Sequence, residues 1–354
     1  MLWTLPAPVR ALLVSHLQLN TRSYSSAVQR ADALSILFCG SDEFSIKSLQ
    51  ALHHAQHTVP GLIERIHVAH RPPKPTGRGL KTLREVPISN AARDLSLQTH
   101  VFDTFTGWAP PVSYNLVIAV SFGLLVPPRI LRLAKYGGLN VHPSLLPDLR
   151  GSAPIEHAIL KGRTHTGVSI QTLHPSKFDE GVVLAQTPAP GLPIGDRETA
   201  VELEGRLAEL GARMLVDVLK ETKFVEPLQS AAGWYAESKG PTDYAPKITK
   251  QDRFVDLSTH TLHHIIAIQR ALGDVWCLLP SGERLLVHKV VDADASSASS
   301  TTQPGLLVGQ RKGELLFRAA CGRVGGIWAS TYAGGAARKG NSKVLKMLRA
   351  QSQL

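Results

Sequence analysis

At 354 residues the chain is long enough for two domains with substantial cores. Its 43% hydrophobic and 19% charged content is that of an ordinary globular protein. No apolar run approaches the roughly 20 residues that span a bilayer, which argues against membrane insertion, and three scattered cysteines (Cys39, Cys277, Cys321) argue against a disulfide framework or a zinc site.

The net charge of +11 is unevenly spread: residues 226–354 hold 16 Lys and Arg against 10 Asp and Glu. That bias fits a polyanionic partner. Residues 1–30 contain Arg10, Arg22 and Arg30 and no acid, amid Ser, Thr, Leu and Ala, which is transit-peptide composition. Arg22-Ser-Tyr-Ser-Ser26 resembles a mitochondrial processing site, with cleavage after Tyr24 and a mature chain in the matrix.

Leu34 to Cys39 is a short apolar run, followed by a glycine turn at Gly40 and a helical pattern through Ser48, Leu49 and Leu52. The spacing predicts a parallel strand and a helix capped by Ser41 or Asp42. One glycine does not make a dinucleotide fingerprint. Ile63 to Ala69 predicts the second strand. Arg71 to Lys81, with three prolines and two glycines, predicts an exposed basic loop that is neither helix nor regular strand. Pro87 to Leu95 predicts a helix, and Thr99 to Phe102 a short strand.

Asn115 to Val120 is continuously apolar, as expected of a parallel strand covered on both faces. In Gly138-Leu-Asn-Val-His142, strand alternation turns Asn140 and His142 to the same face. Pro143 and Pro147 lack an amide donor, so the strand must end at His142 and open into a loop. Ligands in open α/β sheets bind at that end. An imidazole can exchange a proton near neutrality, and a fixed carboxamide can donate to a developing oxyanion. By themselves the two residues could equally cap a strand end.

Ser152 to Leu160 predicts a helix with Pro154 in its first turn, and Thr166 to His174 and Val182 to Gln186 predict strands. Asp179-Glu-Gly181 between them is, taken alone, ordinary turn chemistry. Asp196 to Leu219 predicts a long amphipathic helix. Residues 222–241 read as a linker, and short apolar runs at 275–279, 284–291, 304–308 and 314–319 predict a small β-barrel. Residues 292–302 predict a mobile loop, and the basic tail through Arg349 could be solvated or could touch RNA.

Asn140-Val-His-Pro-Ser-Leu-Leu-Pro147, followed by Arg150-Gly-Ser-Ala-Pro154, resembles the signature of the folate-dependent formyltransferases. In length and order the chain is most similar to members acting on methionyl initiator tRNA. The resemblance covers residues 34 to 335 and is strongest from Asn115 to Gln186. It implies an α/β fold: a Rossmann-like, mostly parallel catalytic domain over residues 31–221, then an OB-like tRNA-binding β-barrel over 242–354.

The resemblance implies Asn140, His142 and Asp179 as catalytic residues, with 10-formyltetrahydrofolate as formyl donor, no metal and a monomeric enzyme. It places the folate against Phe122, Gly123, Leu124 and Val126 and against Ser144, Leu145, Leu146 and Pro147. It makes Arg78 the key cation of a loop around the tRNA acceptor end, with Lys74 and Lys81 as helpers. One departure stands out. Many tRNA-acting members read Asp-x-Gly-Asp where this chain has Asp179-Glu-Gly-Val182; relatives acting on purine intermediates also lack the second aspartate. Another formyltransferase, or a hydrolase releasing formate from the donor, could use the same three residues.

Overall fold

The chain was analysed as a computed structural model that describes residues 31–76, 79, 81–228, 233–294 and 302–351. The predicted transit peptide and Arg78 lie outside the described residues. Ala31–Leu354 form one compact unit.

The apolar runs near the N-terminus become β1 (Leu34–Gly40) and β2 (Ile63–His70), joined by α1 (Glu43–Thr58). Asp42 is the N-cap of α1: its Oδ1 accepts from the Ser45 amide at 3.0 Å, as the turn chemistry predicts. The segment expected to be irregular instead forms a small hairpin, β3 (Lys74–Thr76) with β4 (Thr82–Arg84). Proline at 75 is tolerated because a two-stranded ribbon consists only of edges. α2 (Pro87–Asp94) and β5 (Gln98–Val101) follow.

The continuous apolar run is β6 (Leu116–Val120), buried at every position. A short α3 (Pro128–Leu131) leads into β7 (Gly138–His142), the strand carrying the motif. Then come β8 (Arg150–Gly151), α4 (Pro154–Leu160), β9 (His165–Thr166), β10 (Ser169–Thr172), β11 (Val183–Gln186) and β12 (Leu192–Pro193). The strand expected over 166–174 is thus split, its first residue pairing with β12 in a separate ribbon and residues 169–172 pairing with β7 and β11. α5 (Ala200–Lys220) starts four residues later than predicted, at a Thr199/Glu202 capping box.

The main sheet has the order β11-β10-β7-β6-β1-β2-β5. β1, β2, β5, β6 and β7 run parallel, while β10 runs antiparallel to both its neighbours, β7 and β11. Alternation along β1 explains its layers: Ile36 and Phe38 enter the core beneath α1 and α5, and Leu37 and Cys39 enter a second core with Phe102, Phe105 and Phe122. Burial pushes the Cys39 thiol up to about 12, so it acts as a small hydrophobe. The chain moves outward from β1 to β2 and β5, then returns to β6 on the other side. That reversal is the switch point at which open α/β sheets bind ligands.

Beyond residue 233 come α6 (Trp234–Glu237), β13 (Tyr244–Ala245) and α7 (Leu262–Leu272). Five antiparallel strands then form a half-barrel: β14 (Val275–Leu278), β15 (Arg284–Asp292), β16 (Gly305–Val308), β17 (Leu315–Arg318) and β18 (Val324–Tyr332), in the order β14-β15-β18-β17-β16. The four apolar runs are strands, as expected. β18 escaped prediction because Gly325 and Gly326 interrupt its pattern; Gly325 is obligatory, since a Cβ would lie 2.4 Å from the Phe317 ring. The basic tail is α8 (Gly340–Gln351), which packs on β18. Most of the expected mobile loop, residues 295–301, lies outside the described residues.

Candidate active site

Strand ends at the switch point supply the walls of a cavity of about 860 Å³. Asp42 comes from the turn after β1, Ser121 to Leu124 from the turn after β6, and Asn140 to Pro143 from the end of β7. Gln171 to His174 enter from β10, and Phe178 and Asp179 from the loop beyond it. Arg253 and Gln269 to Gly273 close the cavity from the α7 side. This volume falls within the roughly 300–1,000 Å³ usual for small-molecule sites.

Asn140, His142 and Asp179 converge although the carboxylate is remote in sequence. His142 Nδ1 lies 3.3 Å from Asp179 Oδ1, and both side chains are more than nine-tenths buried. Asn140 Nδ2 reaches the same oxygen at 3.4 Å. The other ring nitrogen, His142 Nε2, is 3.0 Å from the Leu149 carbonyl oxygen. A carbonyl can only accept, so Nε2 donates. Nδ1 is left facing the Asp179 carboxylate.

Asp179 is held on every side. Its Oδ1 also accepts from Gln171 Nε2 at 3.1 Å, and its Oδ2 from the Gly151 amide at 3.0 Å. Its backbone sits in the left-handed region, φ 55°. Gly181 lets the turn close: a Cβ there would stand 1.7 Å from the Thr172 carbonyl oxygen. Gln171 was absent from the predicted site. It is 1% exposed, its Oε1 accepts from the Gly181 amide at 3.2 Å, and it lies directly opposite Asn140 in the β7–β10 ladder. The strand reads Ser-Ile-Gln-Thr, so one more polar residue in it carried no signal.

Phe122, Gly123 and Leu124 line the cavity. Val126, Ser144, Leu145, Leu146 and Pro147 are not among the lining residues. Val126, Ser144, Leu145 and Leu146 are buried. Ser144 Oγ donates to the Asp148 carbonyl at 2.6 Å, and the Leu146 amide donates to Ser169 Oγ at 3.0 Å. Lys74 and Lys81 are exposed on and beside the β3–β4 hairpin. At the cavity mouth, Phe178 and Tyr244 are 59% and 65% exposed.

Asp42, Glu156 and Glu204 also line the cavity. Burial raises the carboxyl pKa of Asp42. Burial, and then the charge of Asp42, raises that of Glu204.

Residues 34–219 match the family model described as formyl transferase. The mitochondrial methionyl-tRNA formyltransferase of Homo sapiens is 32% identical over 302 residues, 82% of this chain and 72% of the human one. Its Saccharomyces cerevisiae counterpart is 34% identical, over 68% of each chain. Among solved structures, an N-formyltransferase from Helicobacter canadensis in complex with folinic acid and dTDP-3-aminofucose shares the fold, with a TM-score of 0.54 at 13% identity over 83% of this chain and 98% of that one. The chain belongs to the formyl transferases and, within them, to the methionyl-tRNA formyltransferase family.

Proposed function

We propose that this chain transfers the formyl group of 10-formyltetrahydrofolate to the α-amino group of methionyl initiator tRNA, as a monomer in the mitochondrial matrix. The observation that carries this reading is the convergence of Asn140, His142 and Asp179 on one cavity at the sheet's switch point. The amine attacks the formyl carbon, a C–N bond forms, and negative charge develops on the formyl oxygen.

Asn140 uses one amide N–H on Asp179, which leaves the other to meet that oxyanion. His142, held between Asp179 and the Leu149 carbonyl, stands beside the reacting centre as a proton-exchanging group. Asp179 fixes the imidazole and passes the amine proton onward through water, so that the folate nitrogen leaves protonated. Phe122, Gly123 and Leu124 bound the donor's ring. Val126 and Ser144 to Pro147 shape that wall. The 860 Å³ cavity is large enough for the donor's bicyclic head together with a methionyl group.

The tRNA acceptor end reaches the cavity mouth past the hairpin, where Arg78 contacts phosphate or stacks on a base and Lys74 and Lys81 add charge. We assign residues 1–30 to a transit peptide, 31–221 to the catalytic domain, 222–241 to a linker and 242–354 to the tRNA-binding domain. The decisive experiment mixes purified protein, labelled 10-formyltetrahydrofolate and charged initiator tRNA. Label on the methionyl nitrogen is the expected result; release of labelled formate without an acceptor would replace this reading with a hydrolase.

A further inference from the structure

Two backbone groups of one short stretch orient the two buried catalytic side chains. The Leu149 carbonyl accepts from His142 Nε2, and the Gly151 amide donates to Asp179 Oδ2. Neither group is positioned by its own strand or helix. Leu149 sits in the left-handed region, φ 55°, and β8 is only two residues long. What holds the stretch is residues 243–245, from the far side of the linker. The Leu149 amide donates to the Asp243 carbonyl at 2.8 Å, and β13 pairs in parallel with β8, Tyr244 against Arg150 and Ala245 against Gly151.

Ion pairs lock this pairing. Arg163 Nε and Nη2 form a two-point contact with the Asp148 carboxylate at 2.9 and 3.1 Å. Arg163 Nη2 also bonds Asp243 Oδ2, and Lys161 Nζ donates to Asp243 Oδ1 at 3.1 Å. The Asp243 amide donates back to Asp148 Oδ1 at 2.9 Å. Asp148 and the Arg163 side chain are largely buried, so the guanidinium fork is fixed between the catalytic loop and the incoming segment.

We propose that residues 243–245 are a positioning element of the catalytic centre, with Arg163 as its lock, so that the C-terminal part of the chain sets the geometry of His142 and Asp179 as well as meeting RNA. This rests on the reading of His142 and Asp179 as catalytic. Arg163 touches no substrate and acts only through Asp148, Asp243 and the 149–151 backbone.

The test compares Arg163→Met with Arg163→Lys and His142→Ala in the full chain, with kcat, KM for charged tRNA, KM for the folate donor and the pH profile of kcat measured. Displacing a reacting group by about an ångström can cost on the order of 100-fold in rate. Arg163→Met is therefore expected to lose about tenfold to 100-fold in kcat, with both KM values within about twofold of the parent and a displaced pH profile; Arg163→Lys recovers part of the loss. Asp243→Asn, at a half-exposed position, serves as the milder variant should Arg163→Met not fold, and is expected to lower kcat in the same selective way.

A folded Arg163→Met or Asp243→Asn enzyme with parental kcat and pH profile overturns the proposal. So does a loss confined to KM for tRNA, which would make the segment an RNA-docking element only. Should His142→Ala itself retain parental turnover, the catalytic reading fails instead, and the two failures are thereby told apart.

Discussion

The Asp179 carboxylate is the point at which the site's polar groups meet: three side chains and one backbone amide donate to it or face it. Substituting Asp179 by Asn keeps the shape but removes the anion opposite the imidazole, and turnover should fall by about 100-fold or more with little change in KM. Asn140→Ala removes an oxyanion donor and should cost about 100- to 1,000-fold in kcat. Gln171→Leu frees both Asp179 and the Gly181 amide, so its loss should appear in kcat as well; single-turnover rates on saturating tRNA measure all three. A further residue-scale prediction concerns Glu204. Its raised pKa means that the folded state holds the proton more tightly than the unfolded chain does. Its contribution is therefore favourable in acid and is lost as pH rises through the folded pKa. Glu204→Gln should raise the melting temperature at about pH 8 and leave it nearly unchanged at about pH 4, where the carboxyl is protonated in either state.

At the scale of elements, close approach decides what the strands and helices can present. α5 lies across β7 and β10, and Gly211 is its point of contact: a Cβ there would meet Val141 Cγ1 at 2.8 Å. Val141 lies between Asn140 and His142, so anything that lifts α5 disturbs both. Gly211→Val should cost about 1–3 kcal/mol by overpacking, read from denaturant midpoints, and should lower turnover as well. Gly151 faces backbone instead: a Cβ would lie 2.3 Å from the Ala245 carbonyl oxygen, and φ is +125°. Gly151→Ala must therefore separate β8 from β13. Much at this scale was legible in the sequence. The apolar runs gave β1, β2, β6 and β7, Asp42 marked the start of α1, and Pro143 marked the end of β7. The hairpin at 74–84 was not foreseen because prolines and glycines obscure any strand pattern. α7 was not foreseen although Leu262, Ile265, Ile268 and Leu272 recur at helical spacing.

Across the whole molecule, the main sheet and the α7 region meet at the cavity, which Gln269 to Gly273 help to line. The C-terminal stretch also carries most of the net positive excess outside the first 30 residues. Productive tRNA binding should therefore weaken steeply with salt, because neutralised phosphates release counterions. Arg78→Ala should raise KM for charged tRNA several-fold and reduce that salt slope by about one, while KM for the folate donor stays unchanged. Steady-state kinetics at two or more salt concentrations separate the outcomes; an unaltered KM and slope would leave the hairpin without its assigned role.

The amino-acid order alone determined the strand that ends in Asn140 and His142, because alternation and two prolines are local effects that act wherever such a stretch occurs. It also carried the formyltransferase signature. It could not supply the distance from those residues to Asp179, the part played by Gln171, or the hold of residues 243–245 on the 149–151 backbone. Those depend on an antiparallel register and on a contact spanning nearly 100 residues, and chain segments so far apart acquire a defined separation only when the packed core fixes it.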